Sequence, residues 1–382
     1  MSNGFAAEKL RRDSGDVIFL GLVLLLLGVG TAVLFSSSYY YGELKFDDPV
    51  HFIRRQSLLV GLGLVSSFLV SRISLEAVKK LVPFLVFFSL VLTMLTFVPG
   101  IGDEVQGARR WIYFFGWSFQ PSELVKVALV VYLAYIFSKK GDRLDDIVRS
   151  VFPPLVVSGL FIVLVYLQND FSTAFFLFFL CLVMFFIARI KLVYFIFLAS
   201  IGIPLAAILL FTKEHRVRRI MAFLNPQSDP VGASYQVNAA RDALTRGGLW
   251  GQGLGEGTKK LGGLPEAHSD FVFAVLGEEM GFLGVFFVIA VFIVFAARGY
   301  LVAVKSKDRF GYYLCFGLIT SIMYQALLNL AVVSGLVPAT GIPLPFFSSG
   351  GSSIIMTLVM CGLVFNVSRR AEREAEEVEA YG

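Results

Sequence analysis

Long apolar runs, each ended by a few polar or charged residues, follow one another along almost the entire chain. Many match the stretch of roughly 20 residues that a helix needs to cross a bilayer core. They fall at about 17–36, 57–71, 81–98, 122–138, 151–167, 172–188, 193–211, 270–297, 311–336 and 352–367. The pattern predicts an all-α, polytopic integral membrane protein with ten transmembrane helices. Polar interruptions are longest at 99–121 and at 212–269, the latter between the seventh and eighth spans. The predicted organisation is an amino-terminal tail 1–16, one membrane domain 17–367 that includes the extracytoplasmic loop 212–269, and a carboxy-terminal tail 368–382.

Composition agrees with this picture. The 382 residues are 57% hydrophobic and 15% aromatic, with mean hydropathy +0.76, which leaves no room for a separate soluble domain. A net charge of +5 does not imply nucleic acid here, because in a membrane protein Lys and Arg mainly set topology and meet anionic lipid. Placing the amino terminus in the cytoplasm puts most cations inside and leaves the short outer loops only Lys45, Arg54, Arg55, Arg109 and Arg110. Both termini are then cytoplasmic. The first run is longer than the apolar core of a cleaved signal and lacks a small-x-small cleavage site. Cys181, Cys315 and Cys361 lie in apolar runs without metal-type spacing and read as small buried hydrophobes. The tail 371–382 reads as a frayed, solvated helix end.

Candidate chemistry gathers on the outer face. In GGLPEAHSDFVFAVLGEEMGFLG, from Gly262, the polar residues Glu266, His268 and Asp270 precede an apolar run that itself contains Glu278 and Glu279. Carboxylates at or near membrane depth are costly and usually face a cavity or a partner. For Asp270 the alternative is a helix cap stabilised by the dipole. The segment 213–224 interleaves Arg216, Arg218 and Arg219 with apolar residues, as a basic amphipathic helix on the membrane surface does. A second short helix is predicted over 234–245, with Ser234 as its cap. The glycine run that follows, with Lys259 and Lys260, is either a phosphate cradle or a mobile linker. Arg109 and Arg110 stand beside Trp111, and Glu123 and Lys126 form an i,i+3 pair in the fourth span. That pair is either self-neutralised or holds a cation for an anionic substrate. Gln168 and Asp170 sit in the turn between the fifth and sixth spans. Residues 338–353, PATGIPLPFFSSGGSS, are too rich in Pro and Gly for helix, and such backbone near membrane depth must be buried or line a cavity.

Three of these stretches together, Gly107 to Trp111 with Gln120 to Glu123, LPEAHSDF with GEEMGFLG, and GIPLPFFSSGGSS, resemble the SEDS family (shape, elongation, division and sporulation) of bacterial cell-wall proteins. The resemblance covers nearly the whole chain, and LPEAHSDF with GLGEGTKKLGG is closer to the division members than to the elongation members. Ser349 stands where the family usually has Tyr, Asn169 where it has Pro and Ser172 where it has Gly. The resemblance implies a peptidoglycan glycosyltransferase that polymerises lipid II in the bacterial cytoplasmic (inner) membrane. Asp270 matches the family's essential aspartate, and a carboxylate can take the proton of the attacking sugar hydroxyl. The lipid diphosphate leaving group needs cations more than a proton. Arg110, Glu123, Lys126, Lys259, Lys260, Glu266, His268 and Ser349 are the expected substrate-binding residues, with Mg2+ or Mn2+ as the one divalent cofactor the chemistry admits. The implied partners are a class B penicillin-binding protein and other divisome or elongasome proteins.

Two other classes fit the pattern: a lipid II flippase or transporter with Asp270 and Glu278 as coupling carboxylates, and a non-catalytic scaffold for a wall synthase. No inverted repeat is evident in the sequence. Lipid II polymer, lipid movement across vesicles, or neither, separates the three.

Overall fold

The computed structural model describes residues 15–105, 107–114, 116–140, 151–225 and 233–381. The cations Lys9, Arg11, Arg12, Arg143 and Arg149, which entered the topology argument, lie outside the described residues.

Helices α1 (Val17–Phe46), α2 (His51–Arg72) and α3 (Leu75–Leu95) lead to the first long interruption between apolar helices. Helices α4 (Pro121–Lys140), α5 (Phe152–Leu167), α6 (Phe171–Ile187) and α7 (Leu192–Phe211) follow. Helices α8 (Glu214–Leu224) and α9 (Ala233–Gly247) lie in the second long interruption, before α10 (Val272–Lys305), α11 (Arg309–Val333) and α12 (Gly351–Tyr381). Eight of these helices are long and apolar enough to cross a membrane, and α5 and α6 are shorter apolar helices. The chain is a multi-pass membrane protein. Helices satisfy most of their backbone groups within their own segment, which is what a hydrocarbon environment requires.

Packing sorts the helices. α4 and α12 are the most enclosed of the spans, whereas no residue in the apolar stretch of α7 is buried. α2 lies along α12, α4 sits between α3 and α11, and α10 packs against α1, α9 and α11. At one end Asp16 caps α1 by accepting from the Phe19 amide at 2.9 Å, takes a 2.9 Å bond from Arg298 of α10, and donates its own amide to Ser368 of α12. That clasp gathers three helices at the far end of α10 from Asp270.

Several expectations are corrected. The segment 99–121 is a three-stranded antiparallel sheet, β1 (Gly102–Val105), β2 (Ala108–Phe114) and β3 (Trp117–Phe119), so the fold is not purely α. Its register pairs Gly102 with Ile112 and Ile112 with Phe119. The positive-φ glycines Gly107 and Gly116 turn the chain between its strands. The Arg109 amide donates to the Gln168 carbonyl at 3.1 Å, which ties the sheet to the α5–α6 turn. Ser234 lies within the first turn of α9 and donates to the Ala222 carbonyl at 3.2 Å, so it is not the cap. α10 begins at Val272 with Phe271 as its N-cap and no side-chain cap bond, so Asp270 does not cap it either. The tail continues as helix to Tyr381.

Candidate active site

Asp270 is held in a turn rather than on a helix. Glu266 adopts a left-handed backbone at φ 55°, and its carbonyl accepts from the Ser269 and Phe271 amides at 3.1 and 3.3 Å. Asn329 of α11 fixes this turn to the opposite wall, because its Nδ2 donates both to the Asp270 carbonyl at 2.8 Å and to the Ile342 carbonyl at 2.9 Å. A Cβ added at Gly341 would lie 3.5 Å from Asp270 Oδ2, so the carboxylate packs beside that bare backbone. Among the described residues no hydrogen bond or ion pair reaches the Asp270 carboxylate. Burial, with the nearby Glu266 charge, pushes its pKa up to about 6, and Arg110 and Arg219 oppose the rise.

His268 and Ser349 join the same wall. The Ser349 amide donates to the His268 carbonyl at 2.9 Å, so Ser349 enters through its backbone. The imidazole stacks on Tyr41 at 4.7 Å and tilts against Phe52 at 4.6 Å between ring centres. Burial holds its pKa below the ordinary histidine value, with Glu266 opposing and Lys45 assisting. The ring is therefore neutral near pH 7 and supplies shape, not charge. Glu266 is exposed and accepts from the Ser269 hydroxyl at 2.7 Å.

On the far side of Gly341 opens a small cleft lined by Gln120, Glu123, Lys126, Thr173, Phe176 and Gly341–Pro343. Lys126 and Glu123 form a buried 2.7 Å ion pair, and Lys126 also donates to Gln325 of α11 at 2.7 Å. Gln325 in turn donates to the Pro343 carbonyl at 2.9 Å and to Ser353 at 3.2 Å. The fourth-span pair is thus bolted to the same Gly341–Pro343 strand that touches Asp270. Arg110 of β2 pairs loosely with Asp170 at 3.5 Å, and its buried Nε has no partner.

The structure does not build the phosphate cradle expected at Lys259 and Lys260. Glu278 of α10 takes the backbone amides of Thr258 and Lys259 at 3.1 to 3.3 Å. Lys260 is buried in a 2.6 Å ion pair with Glu279 and also donates to Ser36 and the Gly255 carbonyl, each at 2.7 Å. Lys259 pairs with Asp242 at 3.3 Å. The glycine loop therefore receives carboxylates from its own chain. α10 breaks at Gly281 (φ 64°, ψ −166°), where a Cβ would run into the backbone of Leu249 and Gly251. Gln325 and Asn329 were missed by the sequence reading, and Arg219 was read as part of a surface helix and not of the site. Gln325 and Asn329 had a signal, two amides one helical turn apart in an apolar run. Among the described residues no group of three or more His, Cys, Asp or Glu side chains converges to hold a metal ion.

A helical membrane bundle with an unpaired carboxyl and a cation-bearing cleft beside a small sheet and a loop has the make-up of a membrane-embedded enzyme site working at the bilayer surface. The chain belongs to the cell cycle protein family of FtsW, RodA and SpoVE, whose model matches residues 17–373. It is 41% identical over 362 residues to the probable peptidoglycan glycosyltransferase FtsW of Geobacter sp. (strain M18), covering 94% of this chain and 99% of that one. It is 35% identical over 362 residues to the stage V sporulation protein E of Bacillus subtilis (strain 168), covering 94% and 98%. A solved chain from a study of polymerization and crosslinking by a peptidoglycan synthase complex superposes with a TM-score of 0.76 at 29% identity, covering 94% of this chain and 98% of that one.

Proposed function

We propose that this protein is a peptidoglycan glycosyltransferase that polymerises lipid II into glycan strands at the outer face of the cytoplasmic membrane, in the synthesis of septal wall at division. The observation that carries the catalytic assignment is the Asp270 carboxyl, without a partner and with its pKa at about 6. A general base works best when its pKa lies near the operating pH, and a base left without a bond is free to accept one from substrate. The acceptor hydroxyl gives its proton to Asp270 as its oxygen bonds to the donor's anomeric carbon. The bond from that carbon to the diphosphate oxygen breaks on the opposite face, with inversion. Arg110 and Lys126 oppose the charge that develops on the departing diphosphate.

In this reading α5 and α6 complete ten spans, both termini are cytoplasmic, and the sheet and the α8–α9 segment form the outer face. The expected partner is a class B penicillin-binding protein. Its single span packs on the lipid face of α10, where Phe282, Phe286 and Phe287 are exposed. Gly284, also expected there, turns inward against Met280. The comparison with a synthase complex that polymerises and crosslinks supports a paired arrangement.

The test is purified protein incubated with labelled lipid II, alone and with the cognate transpeptidase carrying a mutated active serine. Polymer should form, rise with the partner, and vanish in Asp270→Asn. Normal polymer from that variant would remove Asp270 from the mechanism, and lipid movement across vesicles without polymer would replace the enzyme by a flippase.

A further inference from the structure

Behind the segment that walls the Asp270 site lies a second, shallow and open cleft between α8, α9 and the connection from α11 to α12. Arg219 and Arg241 line it, and most of the remaining wall is apolar: Ala222, Phe223, Val237 and Pro338. Neither guanidinium has a carboxylate within ion-pair distance among the described residues. Arg219 donates to the Ala339 carbonyl at 3.4 Å and Arg241 to the Ser334 carbonyl at 3.2 Å. A guanidinium has five N–H donors, so each keeps several in hand. Gly335 makes room for one of them. It sits at φ 70°, and a Cβ there would come within 2.6 Å of Arg241 Nε.

We propose that this cleft binds the phosphate or diphosphate headgroup of a lipid in the outer leaflet. Two forked cations on a small apolar cleft match a phosphate joined to a hydrocarbon chain. The depth is right, because α8 follows the apolar α7 and exposes Met221 and Leu224 beside the cleft, as a helix lying in the headgroup layer does. Location adds meaning. Pro338 and Ala339 wall this cleft, and Gly341–Pro343 of the same segment wall the Lys126 cleft. Arg219 also lies near enough to act on the Asp270 charge. A polymerase that joins two lipid-linked sugars has two lipid diphosphates to accommodate, and this cleft supplies the second place. That last step rests on the function proposed above.

The experiment measures binding without turnover. Asp270→Asn protein in nanodiscs of neutral phosphatidylcholine is titrated with a fluorescent short-chain polyprenyl diphosphate, with Arg219→Gln, Arg241→Gln and the double substitution added to it. Both arginines are exposed, so these changes leave the fold intact, and thermal melting verifies it. Each single change should weaken binding about 10-fold, the loss of one charged hydrogen-bonded contact, and Arg241→Lys should weaken it less than Arg241→Gln. Competition by unlabelled polyprenyl diphosphate but not by phosphatidylglycerol assigns the site to substrate or product, and equal competition by phosphatidylglycerol assigns it to bulk lipid headgroups. Equal competition by inorganic pyrophosphate would overturn the requirement for a lipid. Unchanged affinity for polyprenyl diphosphate in the folded double variant would overturn the site while leaving the polymerase reading intact. Arginine-dependent binding by a protein that makes no polymer would do the reverse.

Discussion

Three carboxylates lie within one short stretch of chain, and the structure treats them oppositely. Glu278 and Glu279 are fully buried and tied down by donors: loop amides for Glu278, and Lys260 and Ser36 on Oε1 of Glu279, whose Oε2 is left without a partner. Asp270 has no such donor and keeps a protonation range near neutral pH. A satisfied carboxylate is an anchor, since moving its proton would cost the bonds that hold the loop down. An unsatisfied one, held rigidly by its own backbone through Asn329, can change partner during a reaction. The difference teaches that the chemistry lies where the chain withholds hydrogen bonds, and that the architecture lies where it supplies them.

The largest expected effect tests the unsatisfied member. Asp270→Asn keeps the shape and should lower lipid II polymerisation by about 10²-fold or more, the usual cost of losing a general base. The same change should not lower the melting temperature at pH 8. The sign follows from linkage: a carboxyl whose folded pKa is raised from 3.8 to about 6 stabilises the fold when protonated. That contribution is complete below pH 3.8 and is lost as pH rises through about 6. Polymerisation by the unmodified protein should accordingly climb with pH through about 6 and then level off. A rate independent of pH between 5 and 7 would count against the base.

Breaking the satisfied member should act on stability instead. Glu279→Ala strands Lys260 in a buried site and should cost about 3–5 kcal/mol of folding free energy, read as a fall in melting temperature. Adding Lys260→Met should restore much of it. If Glu279→Ala melts normally yet cannot polymerise, the anchor is part of the chemistry and the contrast collapses.

Smaller and more diagnostic is the Glu123 and Lys126 pair, which is buried like an anchor but lines a cleft. Lys126→Ala alone should destabilise. The double change Glu123→Gln with Lys126→Ala should recover melting temperature but not polymer synthesis. Recovered synthesis would make the pair purely structural. The smallest effect is expected at Lys259, whose partner Asp242 is largely exposed. Lys259→Ala should change stability by less than about 1 kcal/mol and leave the polymerisation rate near that of the unmodified protein.

Much of this was legible in the sequence, because hydrophobic length alone marks where helices cross a membrane. Even α5 and α6, too short for the strict length rule, were marked by their apolar runs. The outer sheet was not, since β2 is rich in charge and aromatic residues and gains its strand character only from pairing on both sides. In the site, residue type identified the acids but could not say which were already served. Glu279 and Asp270 look alike as letters, and Lys260 looks like a free cation until its partner appears 19 positions on. Arg219 had the opposite fate, placed on a surface helix by its pattern but brought beside the base by the fold.

The break in α10 at Gly281 has a consequence for biogenesis. A helix interrupted there frees backbone groups on both sides, and the glycine loop meets them. Gln252 and Gly253 donate to the Glu278 and Glu279 carbonyls at 3.0 Å, and the Phe282 and Leu283 amides donate to Gly248 and Leu249 at 2.8 and 3.2 Å. All four loop residues precede the break in the chain. During synthesis they emerge before α10 does, so its kink meets its partners on arrival. A circular permutation that opened the chain between Gly253 and Gly281 would reverse that order and leave the broken helix to insert with its backbone groups unmet.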